Sequence, residues 1–203
     1  MKTAALILKK IEALPEGELF GSAQFLGLGL RANIDQVLSR LIKKGVIARV
    51  SRGLFVRPKM NPHIGPVIPG PYKVVEAYAR THGLAIQVHG AEALRQFGLS
   101  TQVPVRPIFY TSGPSRRFRI GELTVVLKHV SPKKMVHAGS KVGLAITALW
   151  YLGKNQVSPT VIEAINKKLL TDEVEMLKAE LHSMPSWMAD IFYHHAENKK
   201  HVG

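Results

Sequence analysis

Apolar residues recur at Ile34, Val37, Leu38, Leu41 and Ile42, a helical spacing that makes one buried stripe, while Asn33, Gln36, Arg40 and Lys43 fall on the opposite side. Gly45 follows Lys43 and Lys44 where a helix needs a left-handed C-terminal residue, and the two cations suit the negative end of the helix dipole. Two short apolar runs, 46–50 and 54–56, then flank Ser51, Arg52 and Gly53. That is a hairpin signal with Arg49 on its stem and Arg52 at its tip. Residues 30–58 therefore predict a helix with a polar face, a glycine stop and a basic hairpin, in the order found in the second half of a winged helix-turn-helix. Upstream, Thr3 is placed to cap a helix whose Ile7, Ile11 and Leu14 share a face, and Pro15 and Gly17 end it. Leu19 and Phe20 read as extended. Ser22 is placed to cap a brief helix over 23–26, and residues 27–30, with Gly27 and Gly29, predict a tight turn between two helices.

Prolines at 58, 62, 66, 69 and 71, with Gly65 and Gly70, predict a semi-rigid linker over 58–71 that holds neither helix nor central strand. Beyond it, helices are expected over 72–82, with Gly83 as stop, and over 89–97, ending near Gly98. Strands are expected over 84–88, 108–111, 116–120 and 123–128, with an extended loop over 100–107. From Lys141 onward the pattern is helical: 142–152, 159–170, 172–183 and 186 to about 196. The predicted fold is α+β: a winged helix-turn-helix domain over 1–57, the linker, and an α+β domain over 72–203 with a small sheet and a helical C-terminal region.

Charge changes this picture. The formal net charge of +14 over 203 residues favours a polyanionic partner. Residues 1–57 carry ten Lys or Arg against four acids, and residues 101–141 carry eight against Glu122 alone. The second group is Arg106, Arg116, Arg117, Arg119, Lys128, Lys133, Lys134 and Lys141, expected on strands and loops of the second domain. Exposed cations are common singly, yet this imbalance fits a phosphate-backbone surface that adds affinity while the helix reads sequence. Residues 142–203 carry six Lys or Arg against seven acids, a near-neutral balance.

No apolar run is long enough to cross a bilayer, and the MKTAALILKK stretch is too soon charged for a secretory signal. It reads as helix. The absence of cysteine excludes disulfides and thiolate chemistry and fits a reducing cytoplasm. No GxxxxGK[ST] run and no HExxH occurs, so neither a phosphate loop nor a metalloprotease helix is expected, and His194, His195 and His201 lack an acidic pair in ligand register. His89, His129 and His137 read as surface or loop residues. The turn over 111–115 is rich in hydroxyls and precedes two arginines, but no base and orienting acid accompany its serines. Trp150, Tyr151, Trp187, Phe192 and Tyr193 read as core. Neither a cofactor, a metal nor an enzyme is expected.

The runs LSRLIKKGVIARVSRGLFVRP, IFYTSGPSRRFRIGELTVVLKHVSP and GLAITALWYLGK together resemble AbiEi-type antitoxin proteins of bacteria, over about residues 5–170. The resemblance implies a sequence-specific, DNA-binding transcriptional autorepressor that serves as antitoxin of a type IV toxin-antitoxin or phage-defence operon. It also implies a nucleotidyltransferase-like toxin as functional partner, without a stable complex. The recognition helix then spans 32–44, with Arg31, Asn33, Gln36 and Arg40 in or beside the major groove and Arg49, Ser51 and Arg52 on the wing. Asn33 or Gln36 suits adenine and Arg40 suits guanine, whereas Lys43, Lys44 and Arg52 suit phosphate. Arg116, Arg117, Arg119, Lys133 and Lys134 are the second-patch candidates for DNA contact. Copies are expected to pair on a repeated promoter site. The alternative is a protein-interaction module that neutralises a partner toxin through its C-terminal domain, through a stripe such as Leu177, Leu181 and Met184 if it is exposed.

Overall fold

The computed structural model describes residues 2–120 and 123–200, with side chains described over 3–120 and 123–193. Helix α1 (Lys2–Glu12) leads through β1 (Leu19–Gly21) and a 3-10 segment (Ser22–Leu28) to α2 (Arg31–Lys43) and a hairpin of β2 (Ala48–Ser51) and β3 (Leu54–Val56). A second hairpin, β4 (Lys59–Asn61) and β5 (Gly65–Val67), precedes α3 (Pro71–His82). Then follow β6 (Ile86–Val88), α4 (Gly90–Phe97), β7 (Ile108–Thr111), β8 (Arg116–Ile120) and β9 (Leu123–His129). Helices α5 (Lys141–Leu152), α6 (Pro159–Asn166), α7 (Thr171–Glu180) and α8 (Ser186–Lys200) complete the chain. The architecture is α+β with small sheets, ordered β1-β3-β2, β4-β5 and β6-β7-β9-β8.

Backbone contacts divide the chain into two compact units, residues 1–83 with 117–125, and residues 84–116 with 126–203. The division therefore falls at Gly83 and not in the proline-rich stretch. That stretch is no bare linker: Lys59 faces Val67, Met60 faces Pro66 and Asn61 faces Gly65 across an antiparallel ribbon. Both strands of such a ribbon are edges, where proline is tolerated. Asn61 Oδ1 closes its turn by accepting from the backbone N–H groups of His63 (2.8 Å) and Ile64 (3.2 Å). The arginine strand likewise changes sides, since residues 117–125 group with the first unit and the Phe118 ring lies 5.5 Å from that of Tyr78.

In the first unit, Ile7, Ile11, Phe20, Phe25, Ile34, Leu38, Leu41, Ile47 and Phe55 form one buried cluster. It draws on α1, β1, the 3-10 segment, α2 and β3, so the helical stripe and the alternating strand faces meet in one core. Two capping expectations fail here. Thr3 lies inside α1, where its hydroxyl donates to the Leu28 carbonyl at 3.1 Å, and Ser22 is a buried member of the 3-10 segment, whose cap is Gly21. A glycine-interrupted stretch does not propagate an α-helix, so it closes into tighter turns. In the second unit α5 is apolar around most of its circumference, with Val142, Ala145, Ile146, Ala148 and Leu149 buried. It packs on α4, α7 and β6 as the central helix.

Candidate nucleic-acid interface

Helix α2 carries the polar face that its sequence pattern requires. Ile34, Leu38 and Leu41 are buried, whereas Asn33, Gln36, Arg40 and Lys43 are all exposed at spacings of three and four. Its C-terminus closes as a paired turn: the Gly45 N–H donates to the Ile42 carbonyl at 2.9 Å and the Val46 N–H to Leu41 at 3.0 Å, with Gly45 at φ +70°. The chain is thereby turned sharply into β2, leaving Lys43 and Lys44 exposed at the corner. Arg31, in the first turn, is exposed and pairs with Asp35 through two contacts of 3.2 Å. At a pair this open the attraction is weak, so a phosphate can displace Asp35.

The β2–β3 hairpin pairs Ala48 with Val56, Arg49 with Phe55 and Ser51 with Leu54, with an irregularity between Arg49 and Ser51. Arg52 and Gly53 form a two-residue tip, Gly53 holding φ +77°, a conformation that favours glycine. Arg52 is exposed. Arg49 is exposed too, but its guanidinium carbon lies 6.0 Å from the Phe55 ring centroid, so its stem is braced along the sheet. Ser51 is placed differently from expectation: its hydroxyl oxygen is shut off from solvent with no hydrogen-bond partner, and it presents nothing to a ligand. Arg57, just past β3, donates to the carbonyls of Glu12 (2.7 Å) and Leu14 (2.6 Å), anchoring the end of α1 against the hairpin base.

The residues of the second patch fall in both units. On β8, Arg117 and Arg119 alternate with half-buried Phe118 and buried Ile120, so the two arginines share one face of a strand belonging to the first unit. Arg116 is exposed at the strand's start, in the second unit. Lys133 is exposed in the 3-10 turn Pro132–Lys134, while Lys134 is half-buried, its ammonium 4.9 Å from the Trp150 ring centroid. Glu122, the acid set against this patch, lies outside the described residues.

Other candidate chemistry resolves into structure. Thr111 Oγ1 accepts from the Gly113 N–H (3.1 Å), Ser112 Oγ from the Ala85 N–H (3.0 Å) and Ser115 Oγ from the His129 N–H (2.9 Å), so the hydroxyls of the turn are occupied with backbone of the turn and its neighbouring segments. His137 pairs with Glu180 at 3.1 Å. Among the described residues no three His, Asp or Glu side chains are grouped to hold a metal, and the side chains of His194, His195 and His201 lie outside them. No helix of the described residues is long and apolar enough to cross a membrane. A recess of about 580 Å³ in the first unit mixes Glu16, Glu18 and Glu76 with Lys59, Lys73 and Arg80, and so selects neither sign of charge.

What the sequence reading missed is a set of aromatic and cationic side chains in the second unit. Trp150 is half-buried and Tyr151 is 48% exposed, so the pair is not core, and both line a cavity with His89, Tyr110, Lys128 and Lys134. The available signal was the Trp-Tyr pair near the end of an otherwise aliphatic helix. Trp187 is half-buried, Phe192 is buried and Tyr193 is 67% exposed, so only the middle one is core.

No curated protein matches the chain by sequence. Among solved structures it is similar to the RV2827C protein from Mycobacterium tuberculosis, at 13% identity and a TM-score of 0.42 over 90% of this chain and 77% of that one. Residues 6–177 match the model of DUF6088, a family of unknown function, and the chain belongs to that family.

Proposed function

We propose that the first unit is a winged helix-turn-helix that reads double-stranded DNA, and that the protein is a transcriptional autorepressor acting as the antitoxin of a type IV toxin-antitoxin or phage-defence operon. The observation that carries the reading is the polar face of α2. Asn33, Gln36, Arg40 and Lys43 stand in solvent directly opposite the residues that fasten the helix to the core. A helix held in this way presents its outer face to the major groove as a preorganised surface, with bidentate donors suited to adenine and guanine. Arg52 at the hairpin tip, with Lys43 and Lys44 at the corner, supplies the phosphate contacts, and Arg117 and Arg119 add cations from the same unit. The antitoxin role rests on the resemblance of the three sequence runs to AbiEi-type proteins. On this reading the protein works in the cytoplasm by binding and not by catalysis, and its toxin is a nucleotidyltransferase-like protein. Leu177 and Leu181 are buried and Met184 is half-buried, so that stripe of the C-terminal helices is not open to a partner toxin.

A gel shift with the operon's own promoter tests the reading. Retardation at a protein concentration well below that needed for random duplex of equal length is expected; equal retardation of the two sinks the autorepressor.

A further inference from the structure

The second unit carries a half-open pocket of about 280 Å³ whose walls come from the start of α4, strands β7 and β9, the 3-10 turn before α5, and α5 itself. Lys128 and Lys134 reach it from two separate elements, and none of its lining residues is acidic. The Lys134 ammonium lies over the Trp150 ring, and His89 sits between two phenols, its ring centroid 5.1 Å from that of Tyr110 and 5.2 Å from that of Tyr151. Gly90 makes this wall possible: a Cβ there would stand 2.2 Å from the Tyr151 Cβ, so only glycine lets α4 begin against that ring.

The polar groups that line this space are mostly donors. Trp150 Nε1 is shut off from solvent with no hydrogen-bond partner, and an indole N–H can only donate. Burial, with the Lys128 charge adding to it, holds the His89 pKa below its ordinary value, so the ring is neutral near pH 7. Its Nδ1 accepts from the Ala91 N–H at 3.3 Å, which places the remaining ring proton on Nε2 as a further donor. Burial raises the Tyr110 phenol, which therefore keeps its proton. Thr147 is the exception, since its hydroxyl already donates to the Gly143 carbonyl at 2.8 Å. A pocket ringed by cations and N–H donors favours an acceptor-rich anion. The volume lies just below the ~300–1,000 Å³ range of ligand pockets, yet above what a bare oxyanion needs. The aromatic rings give it a flat apolar side.

We propose that this cavity binds a phosphate monoester that carries a nucleobase. Lys128 and Lys134 take the phosphate, and the base lies against the exposed ring of Tyr151. The ligand is either a free nucleoside monophosphate or the 5′-phosphate end of a single strand; the chemistry recognised is the same. The proposal stands apart from the DNA-reading assignment, because none of these residues lies in α2 or the β2–β3 hairpin.

The chain has two tryptophans, so a ¹H–¹⁵N spectrum of the full protein shows two indole N–H signals, which a Trp187→Phe variant assigns. The probes are AMP, UMP, adenosine, inorganic phosphate, and a short DNA oligonucleotide with and without a 5′-phosphate. A monophosphate is expected to move the Trp150 signal to saturation with an affinity at least about tenfold above that of adenosine. The Lys128→Ala/Lys134→Met variant, with its Trp187 signal unchanged as proof of folding, is expected to lose at least about tenfold in that affinity. Calorimetry on Trp150→Phe, which replaces the indole under Lys134 with a smaller ring, is expected to show weaker binding as well. Saturation by the phosphorylated oligonucleotide below the AMP concentration identifies a strand end, and the reverse order identifies a free nucleotide; both support the proposal. A Trp150 signal that stays still with every probe to about 10 mM overturns it, as does equal response to adenosine and AMP or undiminished binding by the folded lysine variant.

Discussion

The outer surface of α2 and the cavity beside α5 are both basic, yet their cations are held in opposite ways. On α2 and its hairpin, Arg40, Lys43, Lys44 and Arg52 extend into water. Arg31 is held only by an ion pair with Asp35 whose side chains are 55% and 54% exposed. In the second unit Lys134 is fixed over an indole ring, and the Lys128 charge weighs on the neighbouring His89. Charges in water attract a long polyanion over a Debye length and weaken with salt, whereas charges held against low-dielectric rings act on one bound group at short range. Net charge alone merges these two roles. Half-burial over the Trp150 ring sets Lys134 apart, while Lys128 is exposed like the cations of α2.

The most damaging way to break the comparison is to remove the floor under α2. Ile34 is fully buried in the core of the first unit, and Ile34→Ala is expected to lower stability by about 2–5 kcal/mol in chemical denaturation, and to abolish promoter binding with it. Next comes Gly90→Ala, whose added methyl meets Tyr151 at 2.2–2.5 Å. Overpacking of that kind costs about 1–3 kcal/mol, here in the second unit, and should alter the near-ultraviolet circular dichroism of the aromatic wall while promoter affinity holds. If promoter affinity fell with it, the two basic regions would not be functionally separate.

Smaller changes sharpen the division inside the proposed DNA-reading surface. Arg40→Ala or Gln36→Ala should cost about 1–3 kcal/mol of promoter affinity and relax base preference, seen by anisotropy titration against a panel of single-base variants. Arg52→Ala should weaken all duplexes alike and lower the salt slope by about one, and an unchanged slope would remove the hairpin tip from the interface. Ser51→Ala carries the smallest effect: its hydroxyl is buried and unpartnered, so DNA affinity should be unchanged and stability equal or slightly raised.

The residues show why some of this was legible in the chain and some not. The α2 stripe is a local property, repeating every three or four residues and stopped by Gly45, so the helix and its polar face follow from spacing alone. The β2–β3 tip is equally local, because Gly53 needs its positive φ. Proline density over 58–71 misled for a physical reason. Proline is excluded from central strands, but on a two-stranded ribbon every position is an edge, and Pro66 fits opposite Met60. Ser51 sits at the hairpin tip by count, while the irregularity before it turns its hydroxyl inward, which no spacing rule reports. The cavity was hidden for a further reason. His89 and Tyr151 are far apart in sequence, and their contact depends on how α4 packs on α5. An apolar helix such as α5 gives no periodic hint of which side meets a cavity.

The most direct test of the central claim, that the outer face of α2 reads sequence, compares the wild-type chain with a Gln36→Ala/Arg40→Ala variant. Each is titrated by fluorescence anisotropy against its own promoter and a scrambled duplex, at about 50 and 200 mM salt. The wild type should prefer the promoter at both salt concentrations, and the variant should bind the two duplexes equally while keeping most of its salt dependence. A variant that retained the full promoter preference would contradict the account.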